Sequence, residues 1–232
     1  MPPRVPALPR LRQAVLAARD LDAVAAELRS ELGLREPYAD PGVGYFGLRN
    51  AVFALGDTFL EVVSPVRAGT AAGRLLERRG GDCGYMLMLQ LGDLDAARGR
   101  ARGLGIREVF EVSLDDMDEV HLHPADIRGA IVSLSSPRPP AAWRGGGPDW
   151  DHRSAPVRVT GATVAVGDPN DVAARWERVL GAPPSTAGIR FAEGAGRGPV
   201  EITLAAASGD TGRAPVEIGG VRFRFAPDEE ET

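Results

Sequence analysis

The sequence predicts an α+β protein made of three tandem βαβββ units, and three observations carry that expectation. First, three segments share one pattern, in which an apolar run leads to an acidic residue and then to an amphipathic helix closed by Gly. They run from Gln13 to Gly33, from Met86 to Gly105 and from Gly161 to Gly181. Second, the acidic residues Asp20, Asp93 and Asp168 are almost evenly spaced, 73 and 75 residues apart. Third, each helix is followed by short runs rich in β-branched and aromatic residues and bounded by Gly, Pro and Asp.

In the first unit, the strand containing Gln13 and Val15 ends at Asp20. The Asp20 carboxylate is placed to accept from the orphan N–H groups of a first helical turn. Gly33 stands where a left-handed residue closes that helix, and the β-like runs 43–48, 51–55 and 58–65 follow. The segment 67–84 then holds a short helix at 70–79. The second unit repeats the order, with the strand Met86–Leu89, the cap Asp93, the stop Gly105 and the runs 106–112, 119–124 and 129–137. Residues 138–156, RPPAAWRGGGPDWDHRSAP, are rich in Pro and Gly and read as a linker at a domain boundary, with Trp143 and Trp150 pinning it down. The third unit has Asp168 as cap, Pro169 at the first helical position and Gly181 as stop. Its β-like runs are 188–193, 199–207 and 215–227, before an acidic tail at 228–232. The expected division is therefore a pair of units over about 10–137 (10–66 and 84–137), a linker at 138–156 and a third unit over 157–227.

Composition removes several kinds of chemistry. All 27 basic residues are Arg, so a lysine Schiff base and a P-loop lysine are excluded. The single Cys83 excludes an intrachain disulfide and a Cys-rich metal site. A net charge of -5 leaves no basic excess for nucleic acid. No apolar run reaches the ~20 residues that span a bilayer. The N-terminal stretch lacks the apolar core of a signal peptide, so a cytoplasmic protein with a reduced Cys83 is expected.

Tandem βαβββ units with VLAARDLDA in the first, HPADIRGAI before the last strand of the second, and a strand ending LEVVSP resemble the vicinal oxygen chelate superfamily. This is the group of glyoxalases, bleomycin-resistance proteins and extradiol dioxygenases. The resemblance implies that units one and two pair edge to edge and that their curved sheets form one cup. It also implies four inward positions able to hold a divalent metal, which fall on Gln13, Glu61, Met86 and Ser133. A thioether and a neutral serine hydroxyl are poor ligands for such an ion. No cofactor is therefore expected, and a divalent metal would need a rearranged set that draws in His121 or His123. Those two alternate at strand period, which predicts both rings on one sheet face. His123-Pro124 also resembles a turn of the superfamily in which the ring is structural.

The expected function is a small-molecule site in the cup. Glu61 in apolar surroundings has the character of a general base, since burial raises a carboxyl pKa toward neutrality. Gln13 would orient a carbonyl or hydroxyl, and Met86, Met88, Ser133, Phe59 and Val15 would line the ligand. This describes a metal-independent isomerase or lyase. The alternatives are a non-catalytic, drug-sequestering binding protein and a metal-dependent lyase with a rearranged ligand set. The ligand is expected to be partly apolar. In the third unit the resemblance places the metal positions on Gly161 and Phe223. That unit lacks a third-unit partner in the chain, and its apolar strands, with Val200, Ile202, Leu204, Val221, Phe223 and Phe225, predict a two-fold homodimer, the alternative being a monomer in which the unit folds back on the cup.

Overall fold

The computed structural model describes residues 7–195, 198–206 and 213–227. Seven strands form the first sheet: β1 (Arg10–Ala17), β2 (Leu48–Leu55), β3 (Thr58–Pro65), β4 (Cys83–Gln90), β5 (Glu108–Ser113), β6 (Met117–Leu122) and β7 (Ile131–Pro137). Their order is β2-β3-β1-β4-β7-β6-β5. Two units thus meet edge to edge where β1 runs antiparallel to β4, each first strand also pairing parallel with the last strand of its own unit.

The registers reveal a pseudo-two-fold through the Ala14–Leu87 pair. Gln13 lies opposite Met88 and Val15 opposite Met86, so rotation carries Gln13 onto Met86 and Val15 onto Met88. Gln13 pairs with Phe59 and Met86 with Ile131, which makes Glu61 and Ser133 equivalent. The register is irregular twice, skipping Arg12 and then Tyr85, which are themselves equivalent. Such a bulge brings two neighbouring residues to bear on one face.

Helices α1 (Leu21–Leu32), α2 (Ala71–Arg79) and α3 (Leu94–Gly103) lie where periodicity and caps put them. Asp20 accepts from the backbone N–H of Asp22 and Ala23, and Asp93 from that of Ala96. Gly33 closes α1 in the left-handed region, whereas α3 stops at Leu104 and the left-handed residue is Gly105. The expected strand at 43–48 is instead a 3-10 helix, Pro41–Phe46. Pro41 fixes φ, the Asp40 side chain accepts from Gly42 N–H, and Gly47 ends the segment left-handed, so local turn chemistry overrides the apolar run.

The third unit departs further from expectation. Strands β8 (Val157–Val166), β9 (Ile189–Glu193), β10 (Pro199–Ala206), β11 (Val216–Ile218) and β12 (Val221–Ala226) form a second sheet in the order β11-β12-β10-β8-β9. The run 215–227 is a hairpin, because Gly219 and Gly220 both take positive φ and turn the chain. β9 pairs parallel with β8 across helix α5 (Pro169–Leu180), so the unit is not a simple βαβββ copy. Asp168 caps α5 by accepting from Asp171 N–H, and Gly181 closes it.

The two sheets share one apolar core. Leu16, Phe53 and Leu87 of the first sheet are in one buried cluster with Val159, Ile202 and Phe223 of the second. A Cβ on Gly84 would lie 2.0 Å from the Pro199 carbonyl oxygen, so β4 and β10 approach at a point only glycine permits. Ile202, Leu204, Val221 and Phe223 are fully buried inside this single chain. Four of the six residues assigned above to a second copy are therefore covered from within, while Val200 stays exposed and Phe225 half-buried, so the fold-back alternative supplies the cover for which the homodimer was expected. Phe223, expected at a ligand position, faces that core instead.

Candidate active site

The opposite face of the first sheet is the cup, and its floor is built by strand alternation. Glu61 on β3 is 6% exposed and Gln13 on β1 is 2% exposed. Gln13 Nε2 donates to Glu61 Oε2 at 2.6 Å, and Asn50 Nδ2 on β2 donates to Glu61 Oε1 at 2.6 Å. Both amides are oriented by further donors. Trp143 Nε1–H donates to Gln13 Oε1 at 2.6 Å, and the Asp40 backbone N–H donates to Asn50 Oδ1 at 2.9 Å. With each amide oxygen occupied, each NH₂ group must face the carboxylate.

Opposing influences set the proton affinity of Glu61. Burial is the largest and raises the pKa, the donors Asn50 and Gln13 lower it, and the charges of Asp40 and Glu119 raise it again. The result is about 7 against an ordinary 4.5. A carboxyl held there is present in both protonation states at neutral pH, as proton transfer requires.

The cup is sealed over its first unit and more open over its second. Trp143 and Trp150 hold residues 138–156 down as expected, and they do so inside the cup. Trp143 is 2% exposed and stacks on Phe59 with centroids 6.2 Å apart, and Trp150 meets Phe59 edge-on. A Cβ on Gly146 would lie 2.3 Å from Phe59, and one on Gly147 2.5 Å from Tyr38, so this glycine run is what lets the segment enter the cup. Arg12, brought to the same place by its bulge, donates to Gln90 Oε1 and to the Ala141 carbonyl and lies against the Trp143 ring. At the other end Leu75 and Leu76 of α2 pack with Val15, Val63 and Met86. Across the mouth Phe46 meets Phe110 and stacks on His121. Tyr85, Met88, Ile131, Phe110 and His121 remain half-buried, all on the second unit.

The residues singled out from sequence thus lie on one face, with distinct environments. Phe59 is committed to Trp143, Val15 and Met86 to the α2 cluster, and Ser133 sits fully buried, 3.2 Å from the Ser135 hydroxyl. Gln13 is engaged at both its nitrogen and its oxygen, so in this conformation it holds Glu61. The two histidines do not share a face. β6 ends at Leu122, and His123 caps the short helix α4 (Pro124–Ile127), accepting from Ala125 N–H beside Arg107 and Asp126. His121 faces the cup with its Nε2 2.6 Å from Glu119 Oε1.

Sequence reasoning missed Asn50, whose neighbours on the same strand face, Leu48, Val52 and Ala54, are apolar, and that isolation on its face was the available signal. It also missed Tyr85, because alternation with Met86 and Met88 points it away and only the bulge returns it. Burial, followed by the charge of Glu61, pushes the Tyr85 pKa up to about 12, so it stays a neutral O–H donor. Its hydroxyl has no protein hydrogen-bond partner among the described residues.

The donor set does not fit the metal that the superfamily resemblance implies. Gln13 Oε1 and both Glu61 oxygens already accept hydrogen bonds, and the two equivalent positions offer the Met86 thioether and the Ser133 hydroxyl. Hard divalent ions prefer carboxylate, carbonyl and imidazole ligands. Among the described residues no group of three or more His, Cys, Asp or Glu could hold a metal ion.

The family description "Glyoxalase-like domain" matches residues 14–180. An ethylmalonyl-CoA/methylmalonyl-CoA epimerase from Cereibacter sphaeroides is 27% identical over 131 residues, covering 54% of this chain and 96% of that protein. Among solved structures, a variant of methylmalonyl-CoA epimerase from Streptomyces coelicolor, in complex with 2-nitronate-propionyl-CoA, matches with 23% identity and a TM-score of 0.49, covering 56% of this chain and 99% of that one. The corresponding enzyme from Mycobacterium tuberculosis matches with 24% identity and a TM-score of 0.49, covering 57% and 92%.

Proposed function

This chain belongs to the glyoxalase-like domain family of the vicinal oxygen chelate superfamily, and on that premise we propose that its cup is the site of a metal-independent isomerase in which Glu61 moves a proton. The observation that carries the reading is Glu61 itself, buried, held by two oriented amides and poised at a pKa of about 7. A base of this affinity suits a C–H acid next to a carbonyl, whose proton is mobile only when the developing oxyanion is stabilised. Tyr85, neutral and without a protein partner, is the donor available for that oxyanion. Asn50 and Gln13 keep Glu61 in place while its charge changes. The half-open side around Met88 and Ile131 admits an apolar portion of the substrate. The Cereibacter sphaeroides epimerase supports the reading, because epimerisation is proton removal and return at one carbon.

The test is exchange of solvent deuterium into carbonyl substrates followed by NMR, starting with methylmalonyl-CoA and ethylmalonyl-CoA. Glu61→Gln should slow exchange by about 10²–10⁴-fold, the usual worth of a general base. Full-rate exchange in that variant would overturn the assignment. Tight binding of a carbonyl compound with no exchange would favour the sequestering alternative.

A further inference from the structure

The second sheet repeats the architecture of the cup with opposite charge. β10 and β8 pair antiparallel with the same two irregularities as β1 and β4, skipping Val200 and Thr160 where the first pair skips Arg12 and Tyr85. Counting from these bulges, Gly161 and Glu201 correspond to Gln13 and Met86. In the first sheet, the residue three past each bulge pairs with the outer ligand position: Val15 with Glu61, and Met88 with Ser133. In the second sheet Thr163 pairs with Arg190, and Thr203 with Arg224. Arginines therefore occupy the two positions that hold Glu61 and Ser133 in the cup.

These side chains border a depression of about 910 Å³ whose walls also include Arg10, Arg158 and Thr160. That volume suits a small organic ligand. Among the described residues, the acidic side chain in its lining is Asp57, which is paired with Arg10, and Glu201 lies beside Arg222 and Arg224. Arg224 also donates to Thr203 Oγ1 at 3.0 Å, which fixes its guanidinium. Arg190 is exposed and makes no ion pair or side-chain hydrogen bond among the described residues. Among the described residues Arg190 thus brings a positive charge without an acidic partner to a concavity lined by hydroxyls, in a protein whose net charge is -5.

We propose that this depression is a second binding site, separate from the cup, for a small multiply charged oxyanion whose carboxylate or phosphate is taken by Arg190 and Arg224. A guanidinium presents parallel N–H donors that match both groups in a bidentate pair.

Isothermal titration of the full chain with citrate and with inorganic phosphate, at ionic strength fixed with sodium chloride, tests this. A chain ending at Pro227 is titrated in parallel, because Pro227 lines the depression and the acidic residues 228–231 follow it in sequence. Saturable binding of either probe at one equivalent is expected, the better probe naming the group that the site prefers. Arg190→Gln should weaken it about tenfold, as loss of a charged hydrogen-bonding partner does, and Glu61→Gln should leave it unchanged. No saturable binding of either probe to either chain would overturn the proposal. So would equal affinity in Arg190→Gln, or a matching loss in Glu61→Gln, which would put the anion in the cup.

Discussion

The two halves of the cup are related by a pseudo-two-fold, yet they hold different chemistry. Register makes Glu61 equivalent to Ser133, Gln13 to Met86, Asn50 to Glu119 and Val52 to His121. In the first half a carboxylate is buried between two oriented amides under Trp143. In the second half the equivalent positions are a thioether, a hydroxyl and a Glu119–His121 pair, and several neighbours stay half-exposed. Identical backbone positions thus give a sealed, hydrogen-bonded carboxyl group on one side and an open lining on the other. The lesson is that a duplicated frame fixes where side chains point, while burial and hydrogen-bond donors fix what they do.

The largest effect expected from breaking this asymmetry outside Glu61 is at Trp143. Trp143→Ala removes a fully buried ring from the sealed half and should cost about 3–5 kcal/mol of stability. It also frees the Gln13 amide, so activity should fall together with stability. Urea unfolding measures the first, and a loss under about 1 kcal/mol would mean that the segment 138–156 does not seal the cup in solution.

A somewhat smaller effect follows from the charge of Glu61. Its folded pKa lies above its ordinary 4.5, so the folded protein binds the extra proton and is favoured at low pH. The contribution is present below 4.5 and is lost as pH rises through about 7. The rise is worth about 3 kcal/mol at 1.36 kcal/mol per pH unit. Unfolding free energies measured at several pH values should show this fall in the parent chain, and Glu61→Gln should flatten it. An equal slope in both chains would mean that Glu61 is solvated.

The smallest effect belongs to the equivalent residue of the other half. Ser133→Ala removes one neutral hydrogen bond to Ser135 and should cost about 1 kcal/mol or less. A loss comparable to that at Trp143 would show that the second half is as tightly organised as the first, and would dissolve the comparison.

Much of the fold was legible in the sequence because it is written in local signals. Asp20, Asp93 and Asp168 cap their helices, Thr58–Pro65 forms its strand over the residues expected, and strand alternation puts Phe59, Glu61 and Val63 on one face. The 3-10 helix at Pro41–Phe46 was also local, but the β-like run Val43–Leu48 masked the Asp-Pro-Gly turn ahead of it. The pair Glu61 and Gln13 was singled out by the superfamily resemblance, and strand pairing brings the two side chains within hydrogen-bond distance.

What the sequence by itself determined is therefore the set of capped helices and the strand faces where pairing is regular, as at Phe59, Glu61 and Val63. Tertiary structure alone decided that residues 138–156 seal the first half of the cup, that the third unit rearranges its strands and covers the first sheet from within the chain, and that Asn50 and Tyr85 join Glu61. Caps and alternation act between residues a few positions apart, so they leave a trace in any short window. Burial, bulge position and the orientation of an amide depend on groups distant in the chain, such as Trp143 with Gln13 or Gly84 with Pro199. Such contacts exist only once the sheets have closed.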